Sequence, residues 1–226
     1  MRVDHVAIEQ GWNTDEVLLN AQTLILGSFN PNKPEDNTDY YYGRSTNFFW
    51  KAIEEIYGLP NNTFLRDRRK KIEFMTQYKF CFLDVINSIE ITSNDNNELI
   101  LNEFINNKIY AEFSDQILFT TNFQNKRISL TRHYNDNIIN LLDEGNIKTV
   151  IHTMGNNRIG MDFITNPIER GLHDNGFQGF INAIRNRRTD VNFVRQSYSP
   201  GGRAVRVGGP AYFDDLKRWL QEHINR

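Results

Sequence analysis

The stretch TLILGSFNP, residues 23–31, gives the strongest indication of how this chain folds. Residues 23–29 carry no charge and are mostly apolar, which is typical of a strand buried on both faces of a sheet. Asn30 and Pro31 end this run, because asparagine favours turns and proline cannot donate to a continuing ladder of hydrogen bonds. We therefore predict a central strand over Thr23 to Phe29, followed by a loop.

Three further runs along the chain have the same character. They are KFCFLDVI (residues 79–86), KTVIHTMG (148–155) and VNFVRQSYS (191–199). Between and after them, apolar residues recur at helical spacing, for example at Phe49, Ile53 and Ile56 and in the segment 211–224. Strands that alternate with helices pair in parallel and carry helices on both faces. We predict an α/β fold with three αβα layers around a short, mainly four-stranded parallel sheet.

The length of 226 residues fits a single domain over residues 1–226, because no linker-like segment divides the chain. Residues 87–132 combine an asparagine-rich turn, a helical pattern over Leu99 to Ile105 and the strand-like QILFTT. The four runs assigned to the parallel sheet lie outside this region. We therefore expect residues 87–132 to be a peripheral elaboration.

The composition, with 39% hydrophobic and 24% charged residues, is that of a folded globular protein. Cys81 is the only cysteine, which excludes a disulfide framework and a zinc or iron–sulfur site built from several cysteines. The first residues lack the apolar core of a signal peptide, and no run of about 18 apolar residues occurs. We expect a cytoplasmic protein with no membrane partner.

The formal net charge of −2 argues against indiscriminate binding to nucleic acid but leaves room for a local basic face. Basic residues concentrate in two places along the chain. The first group is Arg66, Arg68, Arg69, Lys70 and Lys71, and the second is Arg185, Arg187, Arg188, Arg195, Arg203 and Arg206. On charge alone, a solvated surface is the favoured interpretation of both groups.

In open parallel sheets, ligands bind beyond the carboxyl ends of the strands. At those ends the four predicted strands carry amides, hydroxyls, aromatic rings and one carboxylate, Asp84. The five histidines are scattered along the chain and form no convincing set of metal ligands. We expect neither a metal nor an organic cofactor.

An unusual concentration of aromatic residues follows the first predicted strand, in DYYYGRSTNFFW, residues 39–50. Such rings can pack the loop against the core, which composition alone favours, or they can offer a flat surface to a ligand. Phe49 and Trp50 fall on the helical pattern and are expected to face the sheet. For Tyr42 both interpretations stay open on these grounds.

Four segments, taken in chain order, resemble motifs of the uracil-DNA glycosylase superfamily. They are GSFNP (27–31), YYYGRSTNFFW (40–50), CFLDVINSIE (81–90) and QSYSPGG (196–202). The second is similar to a segment of the mismatch-specific and hypoxanthine-DNA glycosylase branches, with Arg44 and Ser45 in place of a His-Pro pair. Residues from about 106 to 132 have no counterpart there. The resemblance implies a uracil-DNA glycosylase-like fold with an insertion over residues 106–132.

The resemblance also implies that a nucleotide is turned out of the DNA stack into a pocket between these segments. The residues expected to bind the base are Tyr42, Gly43, Phe29 and Asp84. Tyr42 would stack on the base, and Gly43 would let the backbone come close to it. Asp84 would read the edge of the base, either as a protonated acid or as an acceptor for an N–H group. The alternative for Asp84 is a carboxylate that caps the turn after its strand.

Asn47 and Asn30 are the candidate catalytic residues, because an asparagine can orient the attacking water. Asn47 is the first choice, since the motif around it matches the family better. The alternatives are a turn former at Asn30 and a helix cap at Asn47.

The glycine-rich segment SPGGRAVRVGG, residues 199–209, resembles a loop that grips the DNA backbone. The residues expected to contact DNA phosphate are Ser197, Ser199, Gly201 and Arg203. Without the resemblance, this segment would be interpreted as a flexible hairpin.

The resemblance therefore predicts a DNA glycosylase that hydrolyses the N-glycosidic bond of a deaminated base, uracil first and hypoxanthine second, in base excision repair. The enzyme would be monofunctional, because Lys33, the nearest candidate nucleophile, lies in a loop. Its partner would be DNA that contains the damaged base. The alternative is a catalytically inactive module with the same fold that binds nucleic acid or another protein.

Overall fold

The computed structural model describes residues 1–29, 38–95, 97–106, 120–154 and 176–224 of the chain. Within these ranges, short strands and helices follow one another. In chain order they are β1 (Arg2–Asp4), α1 (Val6–Glu9), α2 (Asp15–Asn20), β2 (Thr23–Gly27), α3 (Phe49–Ile56), α4 (Arg68–Gln77), β3 (Phe80–Asp84), β4 (Ile86–Ser93), α5 (Glu98–Asn106), β5 (Thr120–Phe123), β6 (Lys126–Tyr134), α6 (Asn137–Glu144), β7 (Thr149–His152), α7 (Gly176–Arg187), β8 (Asn192–Phe193) and α8 (Gly202–Ile224). None of the helices in these ranges has the length and apolar character that crossing a membrane requires.

Four strands form a parallel sheet in the order β3-β2-β7-β8. The central strand β2 is buried over its whole length, and its Leu26 pairs with Leu83 of β3 and with His152 of β7. These strands lie in the four runs that the sequence assigns to the sheet, so the prediction of an α/β fold with a four-stranded parallel sheet is confirmed. All four strands are shorter than the predicted runs: β2 ends at Gly27 instead of Phe29, and Ile86 of the run 79–86 already belongs to β4. The difference is largest for β8, which the sequence predicts over residues 191–199.

A second sheet, which the sequence patterns do not predict, is antiparallel and has the order β1-β4-β6-β5. The N-terminal strand β1 pairs with β4, and the hairpin of β5 and β6 completes the sheet. Residues 120–132 of the expected insertion therefore belong to a regular sheet. Residues 107–119 lie outside the described residues, and the interpretation of 106–132 as an insertion stays a prediction.

The two sheets meet where β3 passes into β4. Only Val85 separates Asp84, the last residue of β3, from Ile86, the first residue of β4. The Val85 amide donates to the Gly27 carbonyl and the Ile86 amide donates to the Ser28 carbonyl, each at 2.9 Å. These hydrogen bonds fix the end of β2 against the start of the second sheet, and they place Asp84 at the junction.

The C-terminal helix α8 begins earlier than the sequence predicts. Residues 202–208, which the glycine-rich pattern assigns to a loop, are helical, so the prediction of a loop over 199–209 is wrong for this part. Gly209, with a φ of 67°, interrupts the helix just before Pro210. A break is expected there, because proline has no N–H group with which to continue the helical hydrogen bonds. The part after the kink confirms the helix predicted over residues 211–224.

Phe82 of β3 lies at the centre of an aromatic core. Its side chain is 1% exposed, and its ring centre lies 5.1 Å from the ring centres of Tyr42 and Phe49 and 5.4 Å from that of Tyr41. Rings packed at such distances exclude water and add favourable edge-to-face contacts to the burial of apolar surface. The loop that carries the tyrosines is thereby attached to the parallel sheet.

The aromatic side chains of residues 39–50 differ in how deeply they are buried. Tyr40 and Tyr41 are 0% and 3% exposed, so the interpretation that the tyrosines pack the loop against the core is correct for these two. Phe49 and Trp50 begin α3 and are also buried, as the helical pattern predicts. Tyr42 is only half-buried, which leaves part of its ring accessible.

We predict that Phe82→Ala lowers the free energy of unfolding by about 3–5 kcal/mol, because it leaves a cavity between several rings. Leu99→Ala is the control, since Leu99 is 80% exposed and its replacement should change stability by less than about 0.5 kcal/mol. Urea unfolding followed by tryptophan fluorescence measures both values. Equal losses in the two variants would show that the core is not centred on Phe82.

Candidate functional site

A cavity of about 290 Å³ opens at the carboxyl ends of the parallel strands. It is lined by residues 27–29, 38, 41–44, 47, 84, 153–154 and 199–201. The segments that follow β2, β3, β7 and β8 thus converge on one space, which is where parallel sheets place their ligands. Its volume is close to the lower end of the range for small-molecule sites, about 300–1,000 Å³.

Most of the predicted site residues line this cavity. They are Phe29, Tyr42, Gly43, Asn47, Asp84, Ser199 and Gly201. Ser197 and Arg203 are absent from its described lining. Asn30, the second catalytic candidate, lies outside the described residues.

Asp84 is held by a histidine that the sequence patterns do not single out. The residue is 7% exposed, and its Oδ2 lies 2.5 Å from Nε2 of His5, which is 2% exposed. The two residues are 79 positions apart in the chain and belong to different parts of the fold. His5 precedes α1, whereas Asp84 ends β3.

The hydrogen bonds of His5 define its tautomer. The Ala7 amide donates to Nδ1 of His5 at 3.0 Å, so that the imidazole caps the N-terminus of α1. Nδ1 is therefore an acceptor without a proton, and the ring proton lies on Nε2. His5 consequently donates from Nε2 to the Asp84 carboxylate as a neutral imidazole.

Gly27 leaves the space that the Asp84 carboxylate occupies. A Cβ atom at position 27 would lie 2.1 Å from Oδ1 of Asp84 and 3.1 Å from the Tyr42 hydroxyl. Among the described residues, Oδ1 of Asp84 has no hydrogen-bond partner. The carboxylate therefore has one oxygen engaged by His5, while the other lies over Gly27 in the wall of the cavity.

Tyr42 has a strained backbone at the cavity wall. Its φ is 55°, in the left-handed region that a bulky residue rarely adopts. Its ring stacks on Phe49 with centres 5.0 Å apart and planes 22° apart, and its hydroxyl lies 2.7 Å from the Thr153 hydroxyl. Because Thr153 in turn donates to the Leu26 carbonyl at 3.3 Å, Tyr42 is the donor of this pair. These contacts fix the ring at the end of β2.

Gly43 serves the packing of the loop itself. A Cβ atom there would lie 2.2 Å from Oδ1 of Asp39 and 2.9 Å from the Tyr40 carbonyl. Asp39 accepts two hydrogen bonds of 2.6 Å from Lys71, whose side chain is 1% exposed. Burial lowers the pKa of Lys71, while the Asp39 carboxylate opposes this shift. Gly43 is thus required for a buried ion pair, in addition to its place in the cavity wall.

Asn47 has both of the roles that the sequence leaves as alternatives, since it caps a helix and also lies in the site. Its Oδ1 accepts a hydrogen bond of 2.9 Å from the Phe49 amide, the first residue of α3, so its side chain helps to cap the helix. It also lines the cavity. Capping uses only the side-chain oxygen, so it does not engage the Nδ2 group.

The loop of Asn47 is joined to the segment before α8. Asn47 and Gly201 form an antiparallel bridge, and the Phe48 amide donates to the Pro200 carbonyl at 2.8 Å. The contact is so close that a Cβ atom at Gly202 would lie 2.3 Å from the Thr46 carbonyl oxygen. Two sides of the cavity therefore hold each other in position.

The position of Ser197 does not favour its predicted phosphate contact. Ser197 is 3% exposed, and its hydroxyl donates to the His152 carbonyl at 2.6 Å. A buried hydroxyl that already binds the main chain is not available to a ligand at the surface. Ser199 and Gly201 do line the cavity, and Arg203 is exposed in the first turn of α8. Their phosphate contacts stay predictions.

His152 precedes the cavity residue Thr153 and is fully buried. Its Nε2 lies 3.2 Å from the Arg195 carbonyl, while its Nδ1 has no hydrogen-bond partner among the described residues. Burial lowers the pKa of this histidine to about 4, so the ring is neutral at physiological pH. It supports the sheet behind the cavity.

Sequence patterns do not reveal His5, Thr153 or the ion pair of Asp39 and Lys71. Thr153 directly follows the apolar run of β7 and could have been found by its place at a strand end. His5 carries no local signal, because its partner is distant in sequence. Within the described residues, no group of three or more His, Cys, Asp and Glu side chains is arranged to hold a metal ion.

We predict that Gly202→Ala lowers the free energy of unfolding by about 1–3 kcal/mol, because the new methyl group meets the main chain of Thr46. Gly201→Ala is the matched control. The nearest atom to a Cβ there is the Ser199 hydroxyl oxygen at 3.3 Å, which can rotate away. Its stability should stay within about 1 kcal/mol of the parent. Urea unfolding measures the free energy of unfolding of both variants. Similar values would contradict the close contact of the two loops.

Comparison with protein-family models, with curated proteins and with solved structures finds no match to the chain. The resemblance to the uracil-DNA glycosylase superfamily therefore stays a prediction from the motifs.

Proposed function

We propose that the chain is a monofunctional DNA glycosylase that removes a deaminated base from DNA. One observation carries this proposal. Residues of all four motif segments that resemble the uracil-DNA glycosylase superfamily line a single cavity at the ends of the parallel strands. The segments are separated by long stretches of sequence, and the residues in which they match the family face the same space.

The proposal includes a three-layer, uracil-DNA glycosylase-like fold. The parallel order β3-β2-β7-β8 and the helices between these strands are compatible with it. The antiparallel sheet would then be an addition at the edge that carries β3, since β4 continues directly from that strand.

A base turned out of DNA would enter the cavity between Tyr42, Phe29 and Asp84. The volume of about 290 Å³ accommodates a single base and excludes a larger ligand that must be fully enclosed. Tyr42 and Phe29 supply aromatic surface at the wall, and Asp84 supplies a polar group for the base edge. Recognition by stacking and by edge hydrogen bonds is how enzymes hold a flipped base.

The reaction replaces the bond between base and sugar by a bond from the sugar to a water oxygen, and the proton that the water loses goes to the departing base. Negative charge develops on the departing base and positive charge on the sugar, so the protein must orient the water and donate hydrogen bonds towards the base. Asn47 can do both, because the second lone pair of Oδ1 can accept from water and Nδ2 can donate. No lysine is among the described residues that line the cavity, which favours attack by water over a covalent intermediate. Lys33 lies outside the described residues.

The DNA backbone would cross the rim formed by residues 199–201 and the start of α8. The free amides of the first helical turn favour phosphate at this position. Arg44, which lines the cavity, and Arg203 are both exposed and add positive charge on either side. This local charge explains how a chain with a net charge of −2 could bind a polyanion.

The direct test uses double-stranded and single-stranded oligonucleotides that carry one uracil, hypoxanthine or xanthine. We expect strand breaks after incubation and alkali treatment, with uracil cleaved fastest and hypoxanthine second. Oligonucleotides with only normal bases are the control. DNA binding without cleavage of any of these substrates would reject the glycosylase and favour an inactive binding module.

A pair of variants can separate the capping role of Asn47 from its proposed catalytic role. Asn47→Ser keeps an oxygen that can cap α3 but removes the amide, whereas Asn47→Ala removes both. We expect both variants to lose activity by about a hundredfold or more, and only the alanine variant to lose about 1 kcal/mol of stability. Single-turnover rates and urea unfolding measure these effects. Full activity in the serine variant would show that Asn47 is a helix cap alone.

A further inference from the structure

The pair of His5 and Asp84 is a deeply buried polar group at the cavity wall, and the role of His5 goes beyond the function proposed above. Both residues are more than nine-tenths buried, and one hydrogen bond of 2.5 Å joins them. Burying a carboxylate is unfavourable unless it is paired with donors. Oδ1 of Asp84, which has no hydrogen-bond partner among the described residues and belongs to the cavity wall, is therefore available to a ligand group.

His5 determines which atom the carboxylate offers to the cavity. The Ala7 amide fixes Nδ1 as an acceptor, so Nε2 must donate, and it donates to Oδ2 of Asp84. With Oδ2 engaged by His5, the other carboxylate oxygen is the one that can accept a hydrogen bond from the cavity. That other oxygen, Oδ1, lies over Gly27.

We infer that His5 and Asp84 together select bases that carry an N–H group on the edge facing Asp84, with His5 as the positioning residue. Uracil and hypoxanthine have such an N–H beside a carbonyl. Cytosine and adenine present an unprotonated ring nitrogen at the corresponding place, which an anionic oxygen repels. This inference rests on the proposed function, because it assumes that the cavity receives a base.

Of the two alternatives for Asp84, the acceptor state is the one that this selection requires. A protonated Asp84 would need a proton on Oδ1, since Oδ2 already accepts from His5. It would then donate to the base and favour a ring nitrogen without a proton. In the acceptor state both carboxylate oxygens accept hydrogen bonds, Oδ2 from His5 and Oδ1 from the base. The carbonyl of the base must consequently be bound by a different group.

The probes that test this are free uracil, 3-methyluracil and cytosine, because binding of a free base does not depend on catalysis. In 3-methyluracil a methyl group replaces the relevant hydrogen, and in cytosine the ring nitrogen has none. We expect the parent protein to bind uracil at least about tenfold more tightly than either, which is the typical effect of a hydrogen bond to a charged group. Isothermal titration calorimetry measures the three affinities.

Two variants of His5 separate positioning from steric effects. His5→Phe keeps a ring of similar size but has no donor for Oδ2, so the preference for uracil over cytosine should fall by about tenfold or more. His5→Gln retains an N–H donor and should keep most of the preference. A steric origin of the preference would leave it unchanged in the phenylalanine variant. An unchanged preference in a folded His5→Phe protein overturns the inference.

Asp84→Asn gives an independent result if His5→Phe does not fold, as judged by its thermal transition. In this variant the N–H group of His5 would donate to the new amide oxygen, which turns the NH₂ group towards the cavity. The order of affinity should then reverse in favour of cytosine. A folded Asp84→Asn protein that still prefers uracil overturns the inference.

Failure of this inference and failure of the proposed function are distinguishable. Cleavage of uracil-containing DNA together with equal binding of uracil and cytosine would reject the role of His5 and keep the glycosylase. Selective binding of uracil without cleavage would keep the role of His5 and reject the glycosylase. Absence of binding by all three bases would reject the inference.

Discussion

The hydrogen bonds that carry the chain from β3 into β4 are the constraint on which the rest of the structure depends. The amides of Val85 and Ile86 bind the carbonyls of Gly27 and Ser28, so the end of the central strand is tied to the start of the second sheet. The side chain of Asn135 adds a bond of 3.0 Å to the Asp84 carbonyl. Asp84 therefore cannot move without disturbing both sheets. A side chain held in this way is suited to binding a ligand through hydrogen bonds of fixed direction.

The parallel sheet could be predicted because its strands are buried on both faces and appear as continuous apolar runs. The antiparallel sheet has a weaker signal. In β4, buried Ile89 and Ile91 alternate with exposed Glu90 and Thr92, which is a pattern of period two, but the partners of β4 are the N-terminus and a hairpin about 40 residues away. Pairing at this separation depends on tertiary packing, which a single sequence does not encode locally.

The candidate site was predictable to the extent that it follows strand ends. Tyr42, Asn47, Asp84 and Gly201 reach the cavity because the carboxyl ends of parallel strands share one edge. Ser197 also follows a strand, but its side chain is buried and its hydroxyl donates to the His152 carbonyl, so it does not line the cavity. The first turns of α8 could not be predicted, because their glycines favour loops in isolation. Burial of Val205 against the core offsets this preference. His5 could be found only with knowledge of its partner in another element.

The ion pair behind Gly43 has a consequence for how this loop can vary in evolution. Loss of Asp39 alone would leave the Lys71 charge buried without this partner, and loss of Lys71 alone would leave the half-buried Asp39 carboxylate without it. Any side chain at Gly43 would collide with the Asp39 carboxylate. Single substitutions at these three positions are each unfavourable, so related chains should either keep the whole trio or have exchanged it together for an apolar set. We therefore expect the three positions to change together in evolution.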